Sequence, residues 1–358
     1  MVIDLDNVSA YRRLDPSNMM TRIAEMPMQC RRSWASVSAL PLPDNYREID
    51  KVLILGMGGS AIGGDLTGSL AAESSNTLII VHRGYDLPLW VDEKTLVIAS
   101  SYSGNTEETI SAFSQSLSTK AKKLAITTGG RLQELAIENA IPIYMFSYRS
   151  EPRAAFGYSF FTILAFLNTL GIIDLIPEMV DDAIATLGNL CTEWGPDIPT
   201  ESNPAKEMAI DLYSTFVVIY GTGIFAKVAN RWKTQLNECS KTWAHSESLP
   251  ELNHNEVVGY RFPRWLSNKT SVVMLRPDEI HHQLKLRYDI TQELIEKAGM
   301  KCLIVDCSGK SRLSRLMNAV LFGDYVSYYL AILNRVDPSP VEEIDYLKHR
   351  LSSYNGSA

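Results

Sequence analysis

Residues 51–56, KVLILG, form an unbroken apolar run that stops at a glycine, the pattern of a strand buried on both faces. Four similar runs follow: NTLIIVH (76–82), TLVIASS (95–101), KKLAITT (122–128) and IPIYMF (141–146). Helical stretches separate most of them. Such alternation predicts an α/β fold, a mainly parallel sheet covered by helices on both faces. Ahead of it, residues 16–40 read as an amphipathic helix. The segment RAAFGYSFFTILAFLNTLGII (153–173) is long and apolar enough to raise a membrane span. Arg153, Asn168 and two internal glycines favour a buried helix instead.

The second half, from about residue 175, repeats the first. VLILGMGGSAIGGD (52–65) aligns with VVIYGTGIFAKVAN (217–230), setting Gly56 on Gly221 and Gly58 on Gly223. KLAITTGGRLQELA (123–136) likewise resembles CLIVDCSGKSRLSRLM (302–317). A repeat of half the chain length predicts two similarly folded domains, 1–174 and 175–358, rather than a solenoid. The copies differ in chemistry. Ser60 aligns with Phe225, and the hydroxyl-rich SSYSGNT (100–106) has no counterpart near LRPDEIHH (275–282).

Composition narrows the partners. A length of 358 residues suits two domains, and 46% hydrophobic with 21% charged residues is an ordinary globular balance. The N-terminal MVIDLDNVSAYRR carries acids where a signal peptide carries basic residues and an apolar stretch, so a cytoplasmic location is expected. A formal net charge of −7 argues against nucleic acid or an anionic membrane as partner. The five cysteines are odd in number with no CxxC pair, which reads as a reduced thiol set. His281 and His282 stand at no zinc-like spacing and read as a solvated helix start. No metal is expected.

Two loops carry the candidate chemistry, GMGGSAIGGD (56–65) and SSYSGNT (100–106), each following a strand and opening a helix. A helix N-terminus exposes unpaired N–H groups and partial positive charge, so it suits a phosphate. Glycines let the backbone approach closely, and hydroxyls add donors. Gly58, Gly59 and Ser60 occupy the first turn; Ser101, Tyr102, Ser103 and Thr106 occupy the second. Either loop alone reads equally well as a capped helix, but two on one sheet favour a bound anion. Gly56 to Ala61 also satisfies GxGxxA, the dinucleotide fingerprint. That motif expects an acid at the end of the next strand, where Val81, His82 and Arg83 stand, and it leaves SSYSGNT unexplained. Arg83 keeps a 2′-phosphate reading open.

GMGGSAIGGD, SYSGNTEET, EPRAAFGYS, RWKTQLNECSK, ELNHNE and DPSPVEEIDYLKHRL, in that order from 52 to 351, resemble the bifunctional phosphoglucose/phosphomannose isomerase family. The resemblance implies two sugar isomerase (SIS) domains, each a flavodoxin-like three-layer sandwich, and an active site at the interface of a homodimer. It implies an aldose–ketose isomerase that interconverts hexose 6-phosphates through a cis-enediol, without metal or organic cofactor. Glu238 in QLNECSK matches the catalytic base, a role suited to a buried carboxylate beside an apolar wall. His254 in ELNHNE matches a ring-opening histidine supplied by the neighbouring subunit. Arg153 in EPRAAFG matches the cation at the enediolate oxygen, with a salt bridge to Glu151 as the plainer reading. Lys348 in DYLKHRL matches a C-terminal lysine near the site, with a solvated charge run as its alternative. Ser339 in DPSP stands where relatives often carry threonine. His245, in the strand-like KTWAH, reads as structural.

Two other classes stay open at this level. A non-catalytic SIS sensor would share the phosphate loops, although no basic helix-turn-helix stretch accompanies them here. An amino-sugar phosphate isomerase or transferase would share them too.

Overall fold

The computed structural model describes residues 3–355. All five expected strands of the first half form: β1 (Lys51–Leu55), β2 (Leu78–His82), β3 (Thr95–Ser101), β4 (Lys122–Thr127) and β5 (Ile143–Met145). They make one parallel sheet in the order β2-β1-β3-β4-β5. The second half builds β6 (Phe216–Thr222), β7 (Ala244–Leu249), β8 (Thr270–Pro277) and β9 (Lys301–Cys307), ordered β7-β6-β8-β9 and again all parallel. The second order is the first with its last strand missing, so the repeat read from the sequence is a repeat of topology. Gly58 (φ +49°) and Gly223 (φ +53°) take the same left-handed turn after β1 and β6, a conformation that L side chains adopt at a cost.

Side-chain alternation sends each sheet's residues to two cores. Val52, Ile54, Leu96, Ile98, Leu124 and Ile126 enter a large cluster that also takes Val217, Ile219, Val273 and Leu275 from the second sheet. Leu53, Leu55, Val97 and Ala99 face the other way, against Phe113 and Leu132 from helices Glu107–Ser116 and Gly130–Glu138. Val218, Tyr220, Val272 and Met274 do the same in the second half, over Leu252, Tyr288 and Ile295. The two inner faces therefore share one core. Helices Gly58–Ala71 and Ile224–Glu238, the first crossover helices of the two halves, touch each other across it.

Two apolar helices fill the shared core. The segment expected at 153–173 opens as a 3₁₀ turn, Pro152–Ala155, and continues as helix Phe156–Thr169, buried at every position from Phe156 to Leu167. Helix Arg312–Asn334 is the one described helix long and apolar enough to cross a membrane, yet 94% of its most apolar window is buried in the core. Burial of each such Leu or Phe contributes about 1.5–3 kcal/mol. The amphipathic stretch at 16–40 is broken in two, Met19–Ala24 and Met26–Ser38. Pro27 has no N–H to give to the carbonyl of Ile23, so a continuous ladder cannot form there. The buried stripe Met19, Ile23, Met26, Cys30, Val37 still runs through both pieces.

Candidate active site

The ends of β1 and β3 lie side by side where the strand order reverses, the place where open parallel sheets bind ligands. Both hydroxyl-rich loops leave from there. The first enters helix Gly58–Ala71 with Ser60 buried at its first turn. A Cβ on Gly59 would meet the carbonyl oxygen of Pro152 at 3.3 Å and the Cα of Arg153 at 3.6 Å, so this loop lies directly against the arginine's backbone.

The second loop enters helix Glu107–Ser116. Its hydroxyls divide the work. Ser101 is buried: its Oγ accepts the Gly104 N–H at 3.1 Å and lies 2.9 Å from Thr106 Oγ1, bracing the turn. Ser103 is exposed and accepts the Asn105 N–H at 3.2 Å. Tyr102 donates its hydroxyl to the Tyr148 carbonyl (2.5 Å) and accepts the Ser150 N–H (2.9 Å), which ties the loop to the strand of chain leading to Arg153.

Arg153 is 3% exposed. Its Nη2 donates to the carbonyls of Pro338 (2.5 Å) and Ser339 (2.6 Å), and its Nη1 lies 3.4 Å from Glu238 Oε2. The plainer pairing with Glu151 does not form, because Glu151 pairs with Arg22. Glu238 is the last residue of helix Ile224–Glu238, and its side chain is 29% exposed. The apolar wall expected beside it is replaced by the guanidinium. Ser339 is buried, with no hydrogen-bond partner for its Oγ among the described residues.

Buried groups behind the pair hold it in place. Arg231, 1% exposed, donates to the Arg153 carbonyl at 3.0 Å and to both carboxylate oxygens of Asp324 at 3.1 and 2.9 Å. Gln235 Nε2 donates to Asp324 Oδ1 at 2.7 Å. Burial raises the Asp324 carboxyl above its ordinary range, and the Arg231 charge opposes that rise. Burial pushes the neighbouring Cys239 thiol up to about 11, against the pull of Arg153, so that sulfur stays protonated and unreactive at neutral pH.

Sequence reasoning passed over four of these residues. Arg231, Gln235 and Glu238 recur at helical spacing within RWKTQLNE, and Asp324 is the one acid in an apolar 23-residue helix; both signals are present in the sequence. Lys241 closes NECSK with a left-handed backbone (φ +56°), visible only in three dimensions. Its Nζ donates to the carbonyls of Glu238 and Pro340, both at 2.6 Å. Burial, then the charge of Arg153, lowers its pKa. Arg153 and Lys241 thus grip consecutive carbonyls of the DPSP turn.

His254 and Lys348 stand apart. His254 ends the 3₁₀ turn Glu251–His254 and is exposed; Lys348 is exposed on helix Glu342–Asn355. Neither bonds to Arg153 or Glu238 within one chain. His245 lies on β7 as expected, but its side chain is exposed. With Glu247 and Glu256 it forms a group whose potential metal-ligand atoms lie within 4.8 Å of one another, outside the Arg153 cluster. Arg83, which kept the dinucleotide reading open, pairs with Asp65. Gly58 opens on a cleft of about 560 Å³ between the two first crossover helices, with Lys227 and Lys233 on its wall.

Comparison with known proteins agrees with this architecture. Residues 201–351 match the family described as the bacterial phospho-glucose isomerase C-terminal SIS domain. A bifunctional phosphoglucose/phosphomannose isomerase from Caldicellulosiruptor bescii is 39% identical over 335 residues, covering 93% of this chain and 99% of that protein. The protein of the same name from Aquifex aeolicus is 36% identical, covering 85% and 91%. Among solved structures, the C-terminal domain of glucosamine-fructose-6-phosphate aminotransferase from Francisella tularensis superposes with a TM-score of 0.69 at 15% identity, over 90% of this chain and 98% of that one.

Proposed function

The chain belongs to the bifunctional phosphoglucose/phosphomannose isomerase family, and from that premise we propose how its own residues carry the reaction. It is an aldose–ketose isomerase interconverting glucose 6-phosphate and mannose 6-phosphate with fructose 6-phosphate. The observation that carries the assignment of roles is the Arg153–Glu238 pair at 3.4 Å, set beside the first hydroxyl-rich loop and joined to the second through Ser150 and Tyr102.

The substrate phosphate lies at the N-termini of helices Gly58–Ala71 and Glu107–Ser116. Backbone N–H groups of Gly58 and Gly59 and the hydroxyls of Ser60, Ser103 and Thr106 bind it, while Ser101 and Tyr102 keep the second loop in shape. Glu238 takes the proton from C2 of the open-chain aldose. The C2–H electron pair becomes the C1=C2 bond, and the carbonyl oxygen takes up the negative charge. Arg153 stabilises that oxyanion. The O2 proton passes to O1, and Glu238 returns its own proton to C1. Rotation about C2–C3 lets the same enediol serve both epimers. The chemistry needs no metal and no organic cofactor.

Ring opening falls to His254 of a second copy, since an imidazole can both take and give a proton through its two ring nitrogens and His254 is turned to solvent in its own chain. Two apolar surfaces support a homodimer: Val258, Phe262 and Trp265 beside the His254 turn, and the row Ile344, Leu347, Leu351 on the terminal helix. Lys348 sits next to that row and would be carried to the site with it. The domain boundary belongs between 174 and 175, ahead of helix Pro177–Glu193. Five unpaired cysteines fit a cytoplasmic home.

Purified protein incubated with fructose 6-phosphate should yield both glucose 6-phosphate and mannose 6-phosphate. Recovery of unchanged ketose would overturn the activity.

A further inference from the structure

The His254 imidazole makes no hydrogen bond to its own chain among the described contacts, yet the residues around it are fixed at three points. Leu252 is fully buried in the apolar cluster under the second sheet. Asn253 donates to Thr291 Oγ1 at 2.8 Å and accepts from Arg287 at 3.3 Å, so helix His282–Lys297 holds it from one side. Glu256 accepts the hydroxyl of Tyr220 at 2.6 Å, and that hydroxyl also lies 3.1 Å from Tyr260 Oη. Tyr220 is 1% exposed on β6, an inner strand paired on both sides in the second sheet.

We propose that Tyr220 and Glu256 are positioning residues for ring opening, a clamp that fixes the His254 turn to the central strand so that the imidazole is presented, pre-aimed, to the partner subunit's site. This rests on the reading of His254 as the ring-opening group. A side chain that must act in another subunit cannot be oriented by its own substrate pocket. Its aim has to come from the chain that carries it. An exposed histidine on an unbraced turn would sample many directions, and a displacement of about 1 Å can cost about 100-fold in rate. Tyr220 suits the task because its phenol is a committed donor: burial above all, with the nearby Tyr260 and Glu256, raises its pKa far out of the working range.

The test compares fructose 6-phosphate, which cyclises, with its 5-deoxy analogue, which cannot close a furanose ring. His254→Ala should slow the first far more than the second. Tyr220→Phe, which removes one oxygen and keeps the packed ring, should show the same selectivity, with kcat on fructose 6-phosphate down about 10- to 100-fold and KM little changed. Glu256→Gln, which retains an acceptor, should recover most of the activity that Glu256→Ala loses. Amide hydrogen exchange across 252–257 should quicken in Tyr220→Phe while exchange in β6 stays slow. Equal losses on both substrates in Tyr220→Phe, or unchanged exchange at 252–257, overturn the clamp. Equal losses in His254→Ala overturn the ring-opening reading itself, whatever the exchange shows.

Discussion

Arg153 and Glu238 meet at 3.4 Å although 85 residues separate them, one at the mouth of helix Phe156–Thr169 and the other at the end of helix Ile224–Glu238. The contact joins the first half of the chain to the second beside the first hydroxyl-rich loop. On the proposed roles, the proton-transferring carboxylate and the oxyanion-stabilising cation come to one place from the two halves of the chain.

Glu238→Gln keeps the shape of the side chain and removes its basicity. Turnover should fall by about 10³-fold or more, while binding of fructose 6-phosphate, followed by calorimetry, stays close to that of the parent protein. Retained turnover would sink the assignment of the base.

Arg153→Lys tests whether charge alone suffices. Lysine cannot hold two turn carbonyls and the carboxylate in one plane, so kcat should drop about 100-fold despite the conserved charge. A lysine variant with parental kcat would show that the fork geometry is irrelevant.

In the second hydroxyl-rich loop the proposed binding role and the bracing role fall on different serines. Ser103→Ala should raise KM for hexose phosphate and weaken competitive inhibition by inorganic phosphate, with thermal stability unchanged. Ser101→Ala should instead lower stability by about 0.5–1.5 kcal/mol, because its buried hydroxyl accepts the Gly104 N–H, which keeps only the Ser101 carbonyl in the variant. Reversal of that pattern would exchange the two roles.

Two inactive variants should repair each other if the site is shared between copies. In a mixture of Glu238→Gln and His254→Ala chains, half the dimers are mixed, and each has one intact site. Specific activity should return to about a quarter of the parental value after subunit exchange. No recovery, with exchange confirmed by mass spectrometry, would place His254 and Glu238 in the same subunit's site or remove one of them from it.

Asp324→Asn should destabilise the fold by about 3–5 kcal/mol in urea titration, since it strands the buried Arg231 without its counter-charge. The residual folded enzyme should also lose kcat, because Arg231 holds the Arg153 carbonyl.

The strands and the two loops were legible because their signals are local. An apolar run ending at glycine specifies a buried strand and its exit turn whatever surrounds it, and the β1 and β6 turns share a left-handed glycine for the same steric reason. The pairing of Arg153 was not legible. Glu151 lies two residues away and looked the natural partner, but Arg22, brought in by the N-terminal helices, takes it instead. The break at Pro27 is local and readable from the proline, but the apolar stripe that continues across it reads as one helix.

By itself the sequence determined the order of the elements, the doubled topology, and where the hydroxyl-rich turns stand, because backbone sterics and apolar periodicity act over a few residues. Only the tertiary structure decided which hydroxyls of the second turn brace it and which face solvent. It also decided that Glu238 faces a guanidinium, that Lys241 and Arg153 share the DPSP turn, and that His254 is held outward rather than inward. These outcomes depend on contacts between segments tens to hundreds of residues apart, and such contacts arise only when two sheets bury their inner faces in one common core.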